Sequence, residues 1–137
     1  AFPTWLAPTQ VAIVPISNEK HADFAEEVYK KMRAAGIRAH LDDRSESMNY
    51  KIRESLQDKK IPYVVVIGDK EIEANSVAVR KRGVGQVGTV NVDEFVQDIL
   101  KEIMEIHEAI VNGIATYTLQ YNVRTKKRLL GMKIELE

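Results

Sequence analysis

The chain has 137 residues and no cysteine. That absence removes disulfides, thiolate nucleophiles and cysteine-ligated zinc together, and it suits a reducing, cytoplasmic setting. Net charge is absent too. Twenty basic and twenty acidic side chains cancel, so no global field draws the chain to nucleic acid. No aliphatic run is longer than the four residues Val64–Ile67, far short of the ~20 that span a bilayer. A charged-then-apolar N-terminal segment is also lacking, so neither secretion nor membrane insertion is expected. His21, His40 and His107 share no metal-ligand spacing, and no metal or cofactor is expected. His21 and His107 fall on predicted helices beside charged neighbours, where a solvated position is the expectation. Ser17, Ser45, Ser47 and Ser76 lack the strained turn that exposes a nucleophile. The acid pairs Glu26-Glu27 and Asp42-Asp43 are adjacent, so their side chains diverge. No catalytic constellation stands out.

What is present is an ordinary globular mix, 45% apolar and 29% charged, with the length of about one domain. Charge is unevenly spread. Residues 44–83 carry nine basic and six acidic side chains, whereas residues 84–112 carry one and six. Such polarity suits a face that attracts phosphate, and it equally suits ordinary solvated helices.

Gln10–Ile16 is short, apolar and β-branched, as a buried strand is, and Pro15 should end it. Ser17 or Asn18 can cap a helix with the stripe Phe24, Val28 and Met32, closed at Gly36. Ile37–Leu41 alternates as a second strand, and Asp42–Met48 reads as a loop. Asn49 could cap a short helix to about Lys59, with Ile52 and Leu56 inward. Tyr63–Ile67 is the strongest strand signal, and Gly68-Asp69-Lys70 reads as a turn. Ser76–Arg82 follows too closely for a helical crossover, so it should pair antiparallel with the strand before it. Asn91 and Glu94 start a long helix through Phe95, Val96, Ile99, Leu100, Ile103, Ile106 and Ile110. The order β-α-β-α-β-β-α predicts an α/β domain with a mixed sheet. Tyr117, Leu119, Tyr121 and Val123 alternate, as do Met132, Ile134 and Leu136. A C-terminal hairpin is therefore expected, docked on the domain or exchanged in a homodimer. The predicted division is residues 1–112 and 113–137.

Gly83-Val-Gly85-Gln-Val-Gly88 matches the dinucleotide fingerprint in letters only. The pattern should follow a first strand and open a helix, but here it follows a late strand, and a mobile glycine loop is the reading taken. Arg53, Glu71 and Arg80 can form paired or accepting hydrogen bonds to base edges, and serine or asparagine can do either.

Several motifs stand in a definite order: Phe2-Pro-Thr-Trp-Leu-Ala-Pro8, Ala35-Gly-Ile-Arg38, Asp42-Asp-Arg44, Asn49-Tyr-Lys-Ile-Arg-Glu54, Lys60-Ile-Pro-Tyr63, Gly68-Asp-Lys-Glu71 and Val77-Ala-Val-Arg-Lys-Arg82. Over residues 2–104 this series resembles the C-terminal anticodon-binding domains of threonyl-tRNA synthetases, relatives of those in prolyl-, histidyl- and glycyl-tRNA synthetases. The resemblance implies a mixed, mostly parallel five-stranded sheet flanked by three helices. It also implies a non-catalytic module that reads the anticodon loop of threonine tRNA. By position, Arg53, Glu71 and Arg80 match the family's base-reading residues. Ser45 falls where some members carry an asparagine, and its single hydroxyl is a shorter contact. Asn49 and Lys51 would support that loop or a nearby phosphate. A basic stripe joining Arg53, Arg80 and Lys81 would favour this reading. The family's catalytic core, which binds ATP, threonine and zinc, has no counterpart in these residues, so no aminoacylation is expected. The alternative is an engineered or repurposed scaffold on the same fold, pairing strands through residues 113–137 without binding RNA.

Overall fold

Five strands and four helices build the first of two units in the computed structural model, which describes residues 4–104 and 111–113. The units are Ala1–Glu102 and Ile103–Glu137. In the second, the described residues 103, 104 and 111–113 are helical. The hairpin expected beyond residue 113 lies outside the described residues, as do His107, Ile106 and Ile110.

In chain order the first unit comprises β1 (Val11–Pro15), α1 (Ala22–Ala34), β2 (Ala39–Leu41), α2 (Met48–Arg53), β3 (Tyr63–Ile67), α3 (Asp69–Glu73), β4 (Ser76–Lys81) and β5 (Gly85–Asn91). Residues 92–102 form a last helix, α4. The sheet order is β2-β1-β3-β4-β5. β1 is parallel to β2 and β3, while β3–β4 and β4–β5 are antiparallel. The mixed α/β sheet is as expected, with pairings divided evenly between the two senses.

Local chemistry sets the boundaries. β1 lies between two strands and stops at Pro15, whose missing N–H cannot continue the ladder. α1 begins only at Ala22, because Ser17 Oγ accepts from the Lys20 N–H and closes a separate turn first. It ends as expected. Gly36 N–H donates to the Arg33 carbonyl and Ile37 N–H to the Met32 carbonyl, both at 3.0 Å, closing the helix C-terminus. Ser47, not Asn49, caps α2 by accepting from the Tyr50 N–H at 3.2 Å. The helix then widens into a π-helical turn over Glu54–Asp58.

Two expectations fail at the far edge. The turn read at Gly68–Lys70 is the start of α3, with Glu71 Oε2 accepting the Gly68 N–H at 3.2 Å. The glycine segment is no loop; from Gly85 onward it is β5. A three-residue connection joins β4 to β5, and Gly83 at φ 82° supplies the left-handed residue that such a hairpin needs. Exposed edge strands tolerate glycine, whereas strand propensity scores it as a breaker.

Strand register divides the buried residues between two sheet faces. Ile13, Val65, Ile67, Val77 and Val79 face α1 and α4, where Tyr63 meets Phe95 edge-on at 5.9 Å. Lys31 of α1 bridges Asp93 of α4 at 2.8 Å. On the other face Ala12, Val14, Val64 and Val66 pack with Ile52 and Ile61, and Met48, Leu56 and Ala78 close over them. α2 and the turn after it cover this second face over β1 and β3 and leave its β4–β5 side uncovered by that helix.

Candidate nucleic-acid interface

α2 has two unlike flanks. The first faces the loop after β2. Asp42, 2% exposed, accepts two parallel bonds from Arg44, each 2.9 Å. Arg44 also reaches Glu54 at 3.0 Å, and Lys59 reaches the same carboxylate at 3.2 Å. Arg44 lies over the Tyr50 ring at 5.9 Å. Lys51, also 2% exposed, donates from Nζ to the Asp42 carbonyl at 3.0 Å. Burial pushes the Asp42 pKa up, but the bonds and charge of Arg44 outweigh it and hold the carboxyl below its usual value. Hydrogen bonding from Tyr50, Lys59 and Arg44 lowers Glu54 likewise. Asp42, Arg44, Lys51, Glu54 and Lys59 each have a partner on this flank.

The opposite flank carries Asn49 and Arg53. Tyr50, Lys51 and Glu54 face the Asp42–Arg44 loop, and at 3.6 residues per turn that turns positions 49 and 53 the other way, toward β4. Arg80 stands on the same side of the sheet. It pairs in register with Val64, a member of the α2-facing cluster. Glu71 lies on the same face but past the C-terminal end of β3, whereas Arg80 pairs near its start; its Oε2 and Ile16 Cδ1 both crowd the position a Gly68 side chain would take. Gly68 shares the face of Val64 and Val66 by strand alternation. The guanidinium groups of Arg53 and Arg80 have no hydrogen-bond or ion-pair partner among the described residues. Ser45 is exposed in the loop after β2 and Asn49 is exposed on α2. Lys51 is the exception among the six expected residues. Its side chain is enclosed, so it supports the Ser45 loop from within, and its ammonium is not presented to a phosphate.

The basic stripe that would favour RNA binding is broken by strand alternation. Lys81, next to Arg80, lies on the other face, with Nζ 5.7 Å from the centre of the Tyr63 ring. Sequence reasoning also missed what holds α3. His21 is 4% exposed rather than solvated. Its Nδ1 accepts the Ser17 N–H at 3.0 Å, so Nε2 carries the ring proton and donates to Asp69 at 2.7 Å. That bond lowers the Asp69 pKa, the largest of its causes. It ties α1 to the first residue of the helix bearing Glu71. A histidine just before a helix and an aspartate just after a buried strand leave no local pattern to read.

The family model described as anticodon binding domain matches residues 10–102. The chain belongs to the anticodon-binding-domain family. Threonine–tRNA ligases from Streptococcus pneumoniae strains Hungary19A-6, G54 (serotype 19F) and D39 are 56% identical to it over 103 residues. These matches cover 75% of this chain, which spans about 16% of the length of those relatives. The crystal structure of the RNA binding domain of threonyl-tRNA synthetase from Cryptosporidium parvum Iowa II aligns with a TM-score of 0.68 at 29% identity. It covers 74% of this chain and 25% of that one. Within the anticodon-binding-domain family, the similarity is thus to the threonyl enzymes. Among the described residues, no helix is long and apolar enough to cross a membrane, and no group of acidic or histidine side chains could hold a metal ion.

Proposed function

We propose that this anticodon-binding domain grips the anticodon loop of threonine tRNA, in the cytoplasm, and itself catalyses no step. The observation that carries the reading is the α2 flank facing β4, where Arg53, Glu71 and Arg80 share one side of the sheet and both arginines lack partners among the described residues. An arginine can donate two parallel bonds to a base edge, and an ionised glutamate accepts from a base amino group. Unstacked loop bases expose those edges, which paired RNA hides. Glu71 is already oriented through its bond to Gly68, so less entropy is lost when it binds. Ser45 and Asn49 lie exposed around the same helix for loop or phosphate contacts, and Lys51 fixes the backbone that carries Ser45.

A titration of the chain with a threonine anticodon stem-loop, against the same stem with a scrambled loop, tests this. The matched loop should bind at least about tenfold tighter, a difference of ~1.4 kcal/mol. Arg53→Ala and Arg80→Ala should each weaken it by ~1–3 kcal/mol and relax sequence preference. Equal affinity for the two loops would overturn the proposal. Threonine- and ATP-dependent charging of tRNA by the purified chain would overturn its non-catalytic part.

A further inference from the structure

β5 carries an irregularity that bears on the open side of the sheet. From Ser76↔Asn91 to Val79↔Gly88 the β4–β5 register is regular, and then it slips by one residue, so that Arg80 faces Gln86 and Lys81 faces Gly85. Val87 is the surplus residue of this β-bulge and is 53% exposed. Gly88, at φ 131°, accommodates the distortion beside it. Without the bulge, Arg80 would face Val87, and Gln86 would stand on the α4 side of the sheet opposite Lys81. A one-residue slip exchanges the two faces of a strand. The bulge therefore places a glutamine, in place of Val87, opposite Arg80 on the open face. Bulges commonly re-aim a side chain in this way beside functional sites.

The result is a row across three strands: Val64, Arg80 and Gln86. Residues directly opposite in an antiparallel pair stand ~5 Å apart at Cβ, within reach of one small planar ligand. Gln86 is exposed, and its carboxamide has no partner among the described residues. A carboxamide offers a donor and an acceptor side by side, which complements a base edge and adds a selectivity the guanidinium alone lacks.

We propose that Gln86 is a further specificity-determining residue of this interface, contacting the same loop nucleotide as Arg80 through its carboxamide. The proposal rests on the RNA-binding reading above. Gln86→Ala in the full chain should weaken the matched threonine stem-loop about tenfold and the scrambled loop by less than about twofold, with the thermal midpoint unchanged. The preference it loses should be at the same loop position where Arg80→Ala loses discrimination, located by replacing each anticodon base in turn. Gln86→Glu should lose more, because its carboxylate would pair with Arg80 and repel the phosphates. If the unaltered chain binds both loops alike, the RNA reading falls and this inference falls with it. If the unaltered chain discriminates and Gln86→Ala discriminates equally well at every position, this inference alone is overturned.

Discussion

The two flanks of α2 are built from the same side-chain chemistry and put to opposite uses. On the flank facing the Asp42–Arg44 loop, Arg44, Lys51 and Lys59 each find an oxygen of Asp42 or Glu54. On the flank facing β4, Arg53 and Arg80 find none among the described residues. Composition cannot distinguish them, since the cations of both flanks lie within the basic stretch 44–83. A cation enclosed by its own carboxylates and carbonyls is part of the fold. One left on an open face, held by a rigid helix or strand, can exchange water for a ligand's oxygen or nitrogen at little cost in ordering.

Removing one side of that contrast should have the largest effect. Asp42→Ala strips the enclosed flank of its central anion and leaves the Lys51 ammonium buried beside a lost charge. It should destabilise the domain by ~3–5 kcal/mol, read as a fall in the urea midpoint. Arg53→Ala on the other flank should change stability by less than about 0.5 kcal/mol while weakening RNA. If Asp42→Ala left the midpoint in place, the enclosed flank would not be structural, and the division drawn between the flanks would fail.

Acid should weaken the same flank, and the His21–Asp69 bond with it, more gradually. Asp42, Glu54 and Asp69 all titrate lower in the folded chain than their ordinary values of 3.8, 4.5 and 3.8. The unfolded chain therefore takes up protons first as pH falls. The stability these carboxylates contribute is complete above about pH 5 and is lost as pH falls through their depressed folded values. Denaturation midpoints should be flat from pH 7 to about pH 5 and decline below pH 4, with Asp42→Asn starting lower and declining less. A decline of equal steepness in that variant would exclude Asp42 as a source of the acid limb.

The His21–Asp69 bond sits between the flanks in kind, structural in itself but attached to a site residue. His21→Ala leaves the Ser17 N–H and the Asp69 carboxylate without their ring partner, which should cost ~1–3 kcal/mol. Because α3 carries Glu71, the variant should also lose discrimination at the base proposed for Glu71, in conditions where it remains folded. Lost stability with full discrimination would show that α3 is held by its own packing.

Much of the fold is legible in the sequence. The apolar periodicities of β1, α1, β3 and α4 report burial, and burial is what builds a sheet with helices on its faces. The ordered motifs singled out Arg53, Glu71 and Arg80, and the fold puts all three on one side of the sheet. What the sequence hid was pairing at a distance. Nothing local to His21 marks Asp69, 48 residues on, as its partner. The glycines of β5 argue against a strand by propensity, yet an edge strand paired to β4 along its length overrides them. Lys51 and Arg53 are two residues apart on one short helix, and only the turn of that helix relative to the Asp42 loop buries one and exposes the other.

The smallest effect concerns two neighbours in one strand. Arg80 and Lys81 are adjacent and both cationic, and a charge count treats them as a patch. Strand alternation puts them on opposite faces. Lys81 packs over Tyr63, whose hydroxyl donates to Glu102 at 3.3 Å and whose pKa is pushed up to about 12, first by burial and then by the Glu102 charge. The phenol therefore stays neutral throughout the working range, and the ammonium rests on an intact aromatic face. Lys81→Ala should cost ~0.5–1 kcal/mol of stability through that lost contact. Its affinity for the threonine stem-loop should stay within about twofold, and its salt dependence should match that of the unaltered chain. Arg80→Ala should do the reverse, losing affinity and preference while keeping its midpoint. Each phosphate contact contributes close to one unit to the slope of log K against log salt, ~0.7 for single strands, so the comparison is decidable. A slope lowered by that amount in Lys81→Ala would mean that RNA wraps the sheet edge onto the α4 face, and the interface would then have to be drawn on both sides of β4.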